Sequence, residues 1–153
     1  MTEPHASQSE QATPREANCI FCKIAAGEIP AYTLHEDEQV LAFLDIGPLS
    51  RGHTLIIPKG HWVTIDQLPP AVAARMGELL PTLSQAVTHA AGASAWNVLQ
   101  NNGRAAHQAV DHVHMHIIPR FASSGLEMQW QPGELDAADA KQLQAAIQQT
   151  LQT

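Results

Sequence analysis

His112-Val113-His114-Met115-His116-Ile117-Ile118 alternates histidines with apolar residues. In a β-strand, successive side chains point to opposite faces. The pattern therefore predicts a strand that buries Val113, Met115 and Ile117 and presents the three histidines on its other face. Three histidines at this spacing are hard to explain as structural residues, so we expect them to meet a ligand. A zinc site built from all three is the alternative, because imidazole is a common zinc ligand.

The hydrophobic pattern on either side of this strand indicates the fold class. It predicts a short helix at 19–26, strands at 32–36, 39–45, 53–58 and 96–100, a long helix at 70–91 and a last helix capped by Asp136. Pro81 lies inside the long helix and is expected to kink or split it. The last helix is expected to bury Leu143, Ile147 and Leu151. Neighbouring strands interrupted by one long helix predict an α+β fold on an antiparallel sheet.

Composition limits the classes of function. The 153 residues fit one domain, and the net charge of −7 without a basic run argues against a nucleic-acid partner. No apolar run is long enough to cross a bilayer. Residues 1–17 are polar and lack the apolar region of a signal peptide, so we expect a disordered leader before a domain at 18–153. These observations favour a cytoplasmic protein without a membrane partner.

The only two cysteines, Cys19 and Cys22, are separated by two residues. A disulfide framework is not indicated, and this spacing in a cytosolic protein is typical of a metal or redox site. Both thiolates could bind one tetrahedral ion. A thioredoxin-like role is less favoured, because no βαβ pattern surrounds the pair. Two free, reduced thiols at the start of a helix are the remaining alternative.

Five segments resemble the histidine-triad (HIT) family, and most of all its Hint-like branch. They occur in the family's order between about residues 18 and 120: C-I-F-C-K-I-A-A-G-E-I-P (19–30), A-F-L-D-I-G-P (42–48), G-H-T-L-I-I-P-K-G-H (52–61), N-N-G (101–103) and H-V-H-M-H-I-I-P-R (112–120). The resemblance implies a HIT-like fold with one long helix and a C-terminal helix.

The resemblance also implies a reaction. The middle histidine, His114, attacks the α-phosphorus of a purine nucleotide conjugate, and water then releases AMP or GMP from a nucleotidyl-histidine intermediate. Neutral imidazole is a good nucleophile near pH 7. His116 is implied to lie beside the α-phosphate, while His53 and His112 support the array from behind.

Binding residues follow from the same resemblance. Asp45 matches the residue that holds the ribose hydroxyls, and Asn101 and Gln108 match polar residues close to the phosphate. An apolar cleft for the base is implied at Ile20, Phe21, Ile24, Phe43 and Ile46. A structural zinc is implied at Cys19, Cys22, His61 and His112.

The sequence also bears on the assembly of the protein and on its substrate. The long helix has a wide apolar stripe with small residues, and relatives pair through this helix and a neighbouring strand, so we expect a homodimer; the stripe could instead only cover the chain's own sheet. His107 replaces a glycine of many relatives, and Ala109 replaces a serine that often contacts the leaving group. A phosphoramidase, a dinucleoside polyphosphate hydrolase and a nucleotide-binding regulatory module with little turnover therefore all stay open.

Overall fold

The structure, a computed structural model, describes residues 13–152. In this part of the chain three α-helices accompany five strands. The helices are α1 (Ile20–Ala25), α2 (Pro70–Ala91) and α3 (Ala137–Leu151). The strands are β1 (Thr33–Glu36), β2 (Val40–Leu44), β3 (Thr54–Pro58), β4 (Ala95–Gln100) and β5 (Met115–Arg120). The α+β class with an antiparallel sheet, one long helix and a C-terminal helix is confirmed.

The five strands form one antiparallel sheet in the order β1-β2-β3-β5-β4. Strand β5 lies between β3 and β4, so His116 is opposite Leu55 on one side and Leu99 on the other. This position places the C-terminal half of the histidine segment in an inner strand of the sheet, hydrogen-bonded on both sides. Strand β4 forms one edge of the sheet and β1 forms the other.

The two faces of the sheet bury different sets of apolar residues. Helix α2 covers one face, where Met76, Leu79, Leu83 and Val87 pack against the strands. Val113, Ile117 and the partly buried Met115 belong to this core, as the alternation in their segment predicts. The other face packs against α1 through a cluster of Cys19, Phe21, Cys22, Leu41, Phe43, Leu55 and Ile57. The histidine segment thus lies between the two layers.

Helix α2 is continuous across Pro81, so the predicted split does not occur. Pro81 is exposed, and water can bond the Gly77 carbonyl that loses its intrahelical partner. No helix in residues 13–152 combines the length and the apolarity that crossing a bilayer requires.

Two local predictions differ from the structure. Strand β5 begins at Met115, so His112, Val113 and His114 precede the strand. Helix α3 is capped by Asp136, whose Oδ1 accepts from Asp139 N at 2.8 Å, but it buries none of its side chains. Leu143, Ile147 and Leu151 are 50%, 57% and 80% exposed, because the helix packs against no apolar surface formed by residues 13–152.

The expected leader falls mostly outside the described residues, which begin at residue 13. Of its last residues, Pro14 accepts a hydrogen bond from the backbone N–H of His61 at 2.7 Å. Arg15 forms an ion pair with Glu28 at 3.1 Å.

Candidate active site and metal site

His114 is held in one tautomer by the backbone. Its ring is 4% exposed, and its Nδ1 lies 2.7 Å from the carbonyl oxygen of His112. A carbonyl only accepts, so Nδ1 carries the proton and Nε2 of the neutral ring carries the lone pair. Burial lowers the pKa of His114 below the ordinary histidine value, which keeps the ring neutral at pH 7. A neutral imidazole with a free Nε2 is suited to act as a nucleophile.

A chain of hydrogen bonds fixes the tautomer of His116. The backbone N–H of Leu49 donates to His53 Nδ1 at 3.1 Å, so the proton of neutral His53 lies on Nε2. His53 Nε2 is 2.9 Å from His116 Nδ1 and donates to it. His116 must then carry its own proton on Nε2. Because the ring of His116 stacks edge-on against that of His114, with centroids 4.8 Å apart, this donor lies beside the nucleophile.

Burial keeps this chain of rings uncharged. It lowers the pKa of His116 to about 4, and the neighbouring histidines act in the same direction. It also lowers the pKa of His53, although the nearby carboxylate of Asp45 opposes the shift. Asp45 Oδ2 lies 3.7 Å from His53 Nδ1. The site therefore presents neutral imidazole donors and acceptors at pH 7.

Cys19, Cys22, His61 and His112 form a group that could hold a metal ion. Cys19 Sγ is 3.4 Å from His112 Nδ1, and Cys22 Sγ is 3.4 Å from His61 Nδ1 and 3.6 Å from His112 Nδ1. In a tetrahedral zinc site, bonds of the usual lengths place a sulfur and a nitrogen ligand about 3.6 Å apart. The four side chains thus already lie at the spacing that such an ion requires.

The tautomer of His112 also suits a metal ligand. Its Nε2 donates to the carbonyl of Pro58 at 2.9 Å, which leaves the lone pair on Nδ1, the atom that faces both sulfurs. A second hydrogen bond of this kind is what usually orients a ligating histidine. Burial lowers the pKa of His112 to about 4 and raises the pKa of the Cys22 thiol. A bound cation would reverse the effect on the thiol.

The three histidines do not converge on one ion. In residues 13–152, His112 belongs to the group with the two cysteines, while His116 lies close to Asp45 and His53. His114 belongs to neither group. The ring nitrogens that join His53 and His116 are already engaged with each other in a hydrogen bond. The alternative of a zinc site formed by the whole triad is therefore not supported.

A loop at 101–111 borders the histidines and is held by its own polar side chains. Gln108 is buried, and its Oε1 accepts from the backbone N–H of Gly103 at 2.6 Å. Asn101 Nδ2 donates to the carbonyl of His107 at 3.3 Å. His107 itself adopts a left-handed conformation with φ 64°, which costs a non-glycine residue roughly 1–2 kcal/mol. A glycine at this position would adopt the same conformation without that cost.

A family model described as the HIT domain matches residues 26–123, which is more than half of the chain. The chain belongs to the HIT family.

Several curated relatives of this HIT protein carry enzyme names. It is 46% identical over 110 residues to the adenylylsulfatase HINT3 of Arabidopsis thaliana, which covers 72% of this chain and 56% of that protein. The chain thus spans little more than half of that relative's length. It is also 46% identical over 127 residues to the adenosine 5'-monophosphoramidase hnt1 of Schizosaccharomyces pombe, with 82% and 92% of the two chains covered.

Solved structures show the same fold. A histidine triad nucleotide-binding protein from Candida albicans superposes with a TM-score of 0.79 at 36% identity, covering 87% of this chain and 96% of that one. A zinc-bound histidine triad family protein from Mycobacterium smegmatis gives a TM-score of 0.66 at 36% identity, with 87% and 95% coverage.

The structure brings together most, but not all, of the residues expected to hold a nucleoside. Phe21 and Phe43 pack edge-on in the HIT protein's second core, with Ile24 against them. Ile20 is 44% exposed and Ile46 is 86% exposed, so neither belongs to the packed part of this cluster. Asp45 follows β2, is half-buried, and accepts from the backbone N–H of Gly47 at 2.8 Å.

A backbone carbonyl was expected to fix the tautomer of His114, but sequence reasoning missed the backbone groups that orient His112, Gln108 and His53. The carbonyl of Pro58, the carbonyl of Val63 and the N–H of Leu49 each bond a site side chain. Every residue offers such groups, so no residue-type pattern marks the ones that matter. Their role becomes visible only from distances.

Proposed function

We propose that this HIT protein hydrolyses purine nucleotide conjugates at the α-phosphate and releases AMP or GMP. The observation that carries the proposal is the hydrogen bond from His114 Nδ1 to the His112 carbonyl, which leaves a nucleophilic lone pair on Nε2. The enzyme names of the relatives in Schizosaccharomyces pombe and Arabidopsis thaliana support it. The transferred group would be held covalently on His114 as a nucleotidyl-histidine.

The tautomers of the two histidines fit the two halves of the reaction. His114 Nε2 attacks phosphorus while the P–N or P–O bond to the leaving group breaks. His116 carries its proton on Nε2, where it can donate a hydrogen bond to a phosphate oxygen as negative charge develops, while the leaving group takes its proton from solvent. Water then attacks the phosphorus of the intermediate: the new P–O bond forms as the P–N bond to His114 Nε2 breaks, and the proton of the water passes to solvent, which restores neutral His114. His53 takes no part in bond breaking; it holds His116 in the donor tautomer.

Substrate would be held by residues around this pair. The carboxylate of Asp45 accepts hydrogen bonds from the ribose hydroxyls, a role for which a two-oxygen acceptor is suited. The base packs between the apolar side chains near Phe21 and Phe43, with Ile20, Ile24 and Ile46 completing the cleft. The exposure of Ile20 and Ile46 leaves them free to be covered by the base.

Two substrates separate the proposed phosphoramidase from its rivals. We expect adenosine 5'-phosphoramidate to release AMP with a kcat/KM at least about tenfold above that of a diadenosine polyphosphate, measured by chromatography of AMP under identical conditions. The reverse order would assign the chain to the dinucleoside polyphosphate hydrolases. If the protein binds AMP but releases none from either compound, it is a regulatory binding module, and the proposed enzyme activity is wrong.

We further propose that the ion at Cys19, Cys22, His61 and His112 is zinc with a structural role. Four protein ligands leave no position for a reactive water. The group would tie α1 and the segment at His61 to the residue whose carbonyl orients His114. Its thiolates must stay reduced to bind the ion, which fits the cytoplasmic location that the sequence favours.

A homodimer formed through β4 and α2 is the assembly we propose. Strand β4 is an edge of the sheet, and its Trp96 and Val98 are 46% and 48% exposed. On the side of α2 that faces β4, Leu80, Ser84 and Thr88 lie around Trp96. The exposed Ala86 and Ala90 lie instead around Leu34 at the β1 edge, Ala91 is buried, and Ala73 packs in the chain's own core. An unpaired edge with apolar side chains is a template for pairing with another copy.

Sedimentation is expected to give a particle of about 33 kDa, twice the 16.5 kDa of one chain. A Val98→Lys variant should move it to the mass of one chain at micromolar concentration, because a charge would be buried where the edges meet. Leu34→Lys, at the opposite edge in β1 and 44% exposed, is the matched control and should leave the dimer intact. A native protein that sediments as one chain would overturn the assembly.

A further inference from the structure

Both side-chain N–H donors of Gln108 form hydrogen bonds inside the protein. Its Nε2 donates to the carbonyl of Val63 at 2.6 Å and to the carbonyl of Val110 at 3.1 Å, while Oε1 accepts from Gly103 N. A carboxamide has two N–H donors, so none remains for a substrate phosphate. If the amide were flipped, its oxygen would face the carbonyl oxygens of Val63 and Val110, and its NH₂ group would face the N–H of Gly103. None of these pairs can form a hydrogen bond, so the partners fix the orientation of the amide.

The partner at Val63 belongs to a segment that also carries a metal ligand. In the segment at 61–65, His61 Nδ1 faces Cys22 Sγ at 3.4 Å. Trp62 accepts from the backbone N–H of Val113, which lies between His112 and His114, at 2.7 Å. Ile65 donates to Asn102 Oδ1 at 2.8 Å. One short segment therefore touches the metal group, the histidines and the loop at 101–111.

We infer that Gln108 is a positioning residue that couples the metal site to nucleotide binding through the 61–65 segment. This inference rests on the proposed function, in which the loop at 101–111 borders the phosphate. A metal ion on His61 fixes the start of the segment. The segment fixes Gln108, and Gln108 holds Gly103 and Val110 at the two ends of the loop. His107, strained within that loop, keeps its conformation only while these bonds surround it.

The coupling must act in both directions. If zinc makes the loop more ordered for a nucleotide, then a bound nucleotide must tighten zinc by the same factor. The effect is therefore measurable without turnover. Zinc affinity is measured by competition with a coloured chelator, with and without saturating AMP, on the full chain. AMP affinity of the zinc-loaded and metal-free protein is measured by calorimetry.

For the native protein we expect AMP to raise zinc affinity by about fivefold or more, and zinc to raise AMP affinity by the same factor. In Gln108→Met, which loses all three bonds, both factors should fall to within about twofold of one, while zinc is still bound. Gln108→Glu keeps the acceptor for Gly103 N but loses both donors, so its coupling factors should resemble those of Gln108→Met. This second variant tests the inference if Gln108→Met does not fold.

Gln67→Met is the matched control. Gln67 is exposed and its Oε1 accepts from Val63 N at 2.9 Å, so it bonds the same segment without reaching the loop. Its coupling factors should equal those of the native protein. Amide hydrogen exchange across 101–111 should become faster in zinc-free native protein and in Gln108→Met, and remain unchanged in zinc-loaded Gln67→Met.

The outcomes are distinct. AMP affinity that does not depend on zinc, coupling that survives in both Gln108 variants, or a native protein that binds no zinc would each overturn the inference. A native protein that binds zinc but no AMP would instead overturn the proposed function, and with it this coupling. AMP binding with zinc-independent affinity would remove the coupling alone and leave the chemistry of His114 standing.

Discussion

Replacing His114 with alanine or asparagine should reduce kcat for adenosine 5'-phosphoramidate by roughly 10⁴-fold or more. The ring of His114 supplies the attacking lone pair on Nε2. The other three histidines of the site carry a proton on that atom: His53 and His116 by the hydrogen bond between them, and His112 by its bond to the Pro58 carbonyl. A 10⁴-fold loss corresponds to about 5.5 kcal/mol of transition-state stabilisation. Single-turnover release of AMP, followed by chromatography, measures the effect.

Binding should survive this substitution, because His114 contacts the reacting phosphorus and the nucleoside is held elsewhere. We expect AMP to bind within a fewfold of its native affinity and the thermal unfolding midpoint to stay close to that of the native protein. His89→Ala, an exposed histidine in the last turn of α2, is the matched control and should retain full turnover. Near-native single-turnover rates in the His114 variants would contradict the assignment of His114 as the nucleophile. Recovery of a labelled nucleotidyl group on His114 in the native protein would support it directly.

The sequence was sufficient for the fold because local pattern and tertiary packing agree along most of the chain. The alternation of Val113, Met115 and Ile117 predicts the face that packs against α2, and that face is the buried one. The start of β5 could not be predicted in the same way. Alternation describes side chains, whereas the backbone N–H of Val113 bonds the carbonyl of Trp62 outside the sheet, and the rings of His112 and His114 bond the carbonyls of Pro58 and His112.

Helix α3 is correctly predicted as a helix, but its packing is not. Its apolar stripe and its Asp136 cap predict a helix, and the helix and its cap are both present, yet the stripe is not buried against any part of the chain that the structure describes. Periodicity reveals which face of a helix is apolar and carries no information about what covers it. The same reasoning applies to Gln108. Its residue type suggests a polar contact, and only the distances show that those contacts lie within the protein.

Loss of the zinc ligands should have the second-largest effect. In a Cys19→Ser, Cys22→Ser variant we expect bound zinc to fall from about one ion per chain to nearly none. The two thiols, His61 and His112 join α1, the 61–65 segment and the histidine segment, so the unbound protein loses a link between three parts of the fold. A loss of about 3 kcal/mol would lower the unfolding midpoint by roughly 6–12 °C in a chain of this size.

Metal analysis of protein purified without a histidine tag or chelator measures the first expectation, and a thermal scan measures the second. Treatment of the native protein with a chelator should reproduce the lower midpoint, and added zinc should restore it in the native protein while leaving the double variant unchanged. His61→Asn removes a ligand from a different segment and should show the same loss of zinc, because a tetrahedral site binds weakly with one ligand missing. His89→Ala controls for the loss of an imidazole that lies outside the group. Native protein without zinc, or zinc retained after both cysteines are replaced, would contradict the metal site and leave the chemistry of His114 untouched.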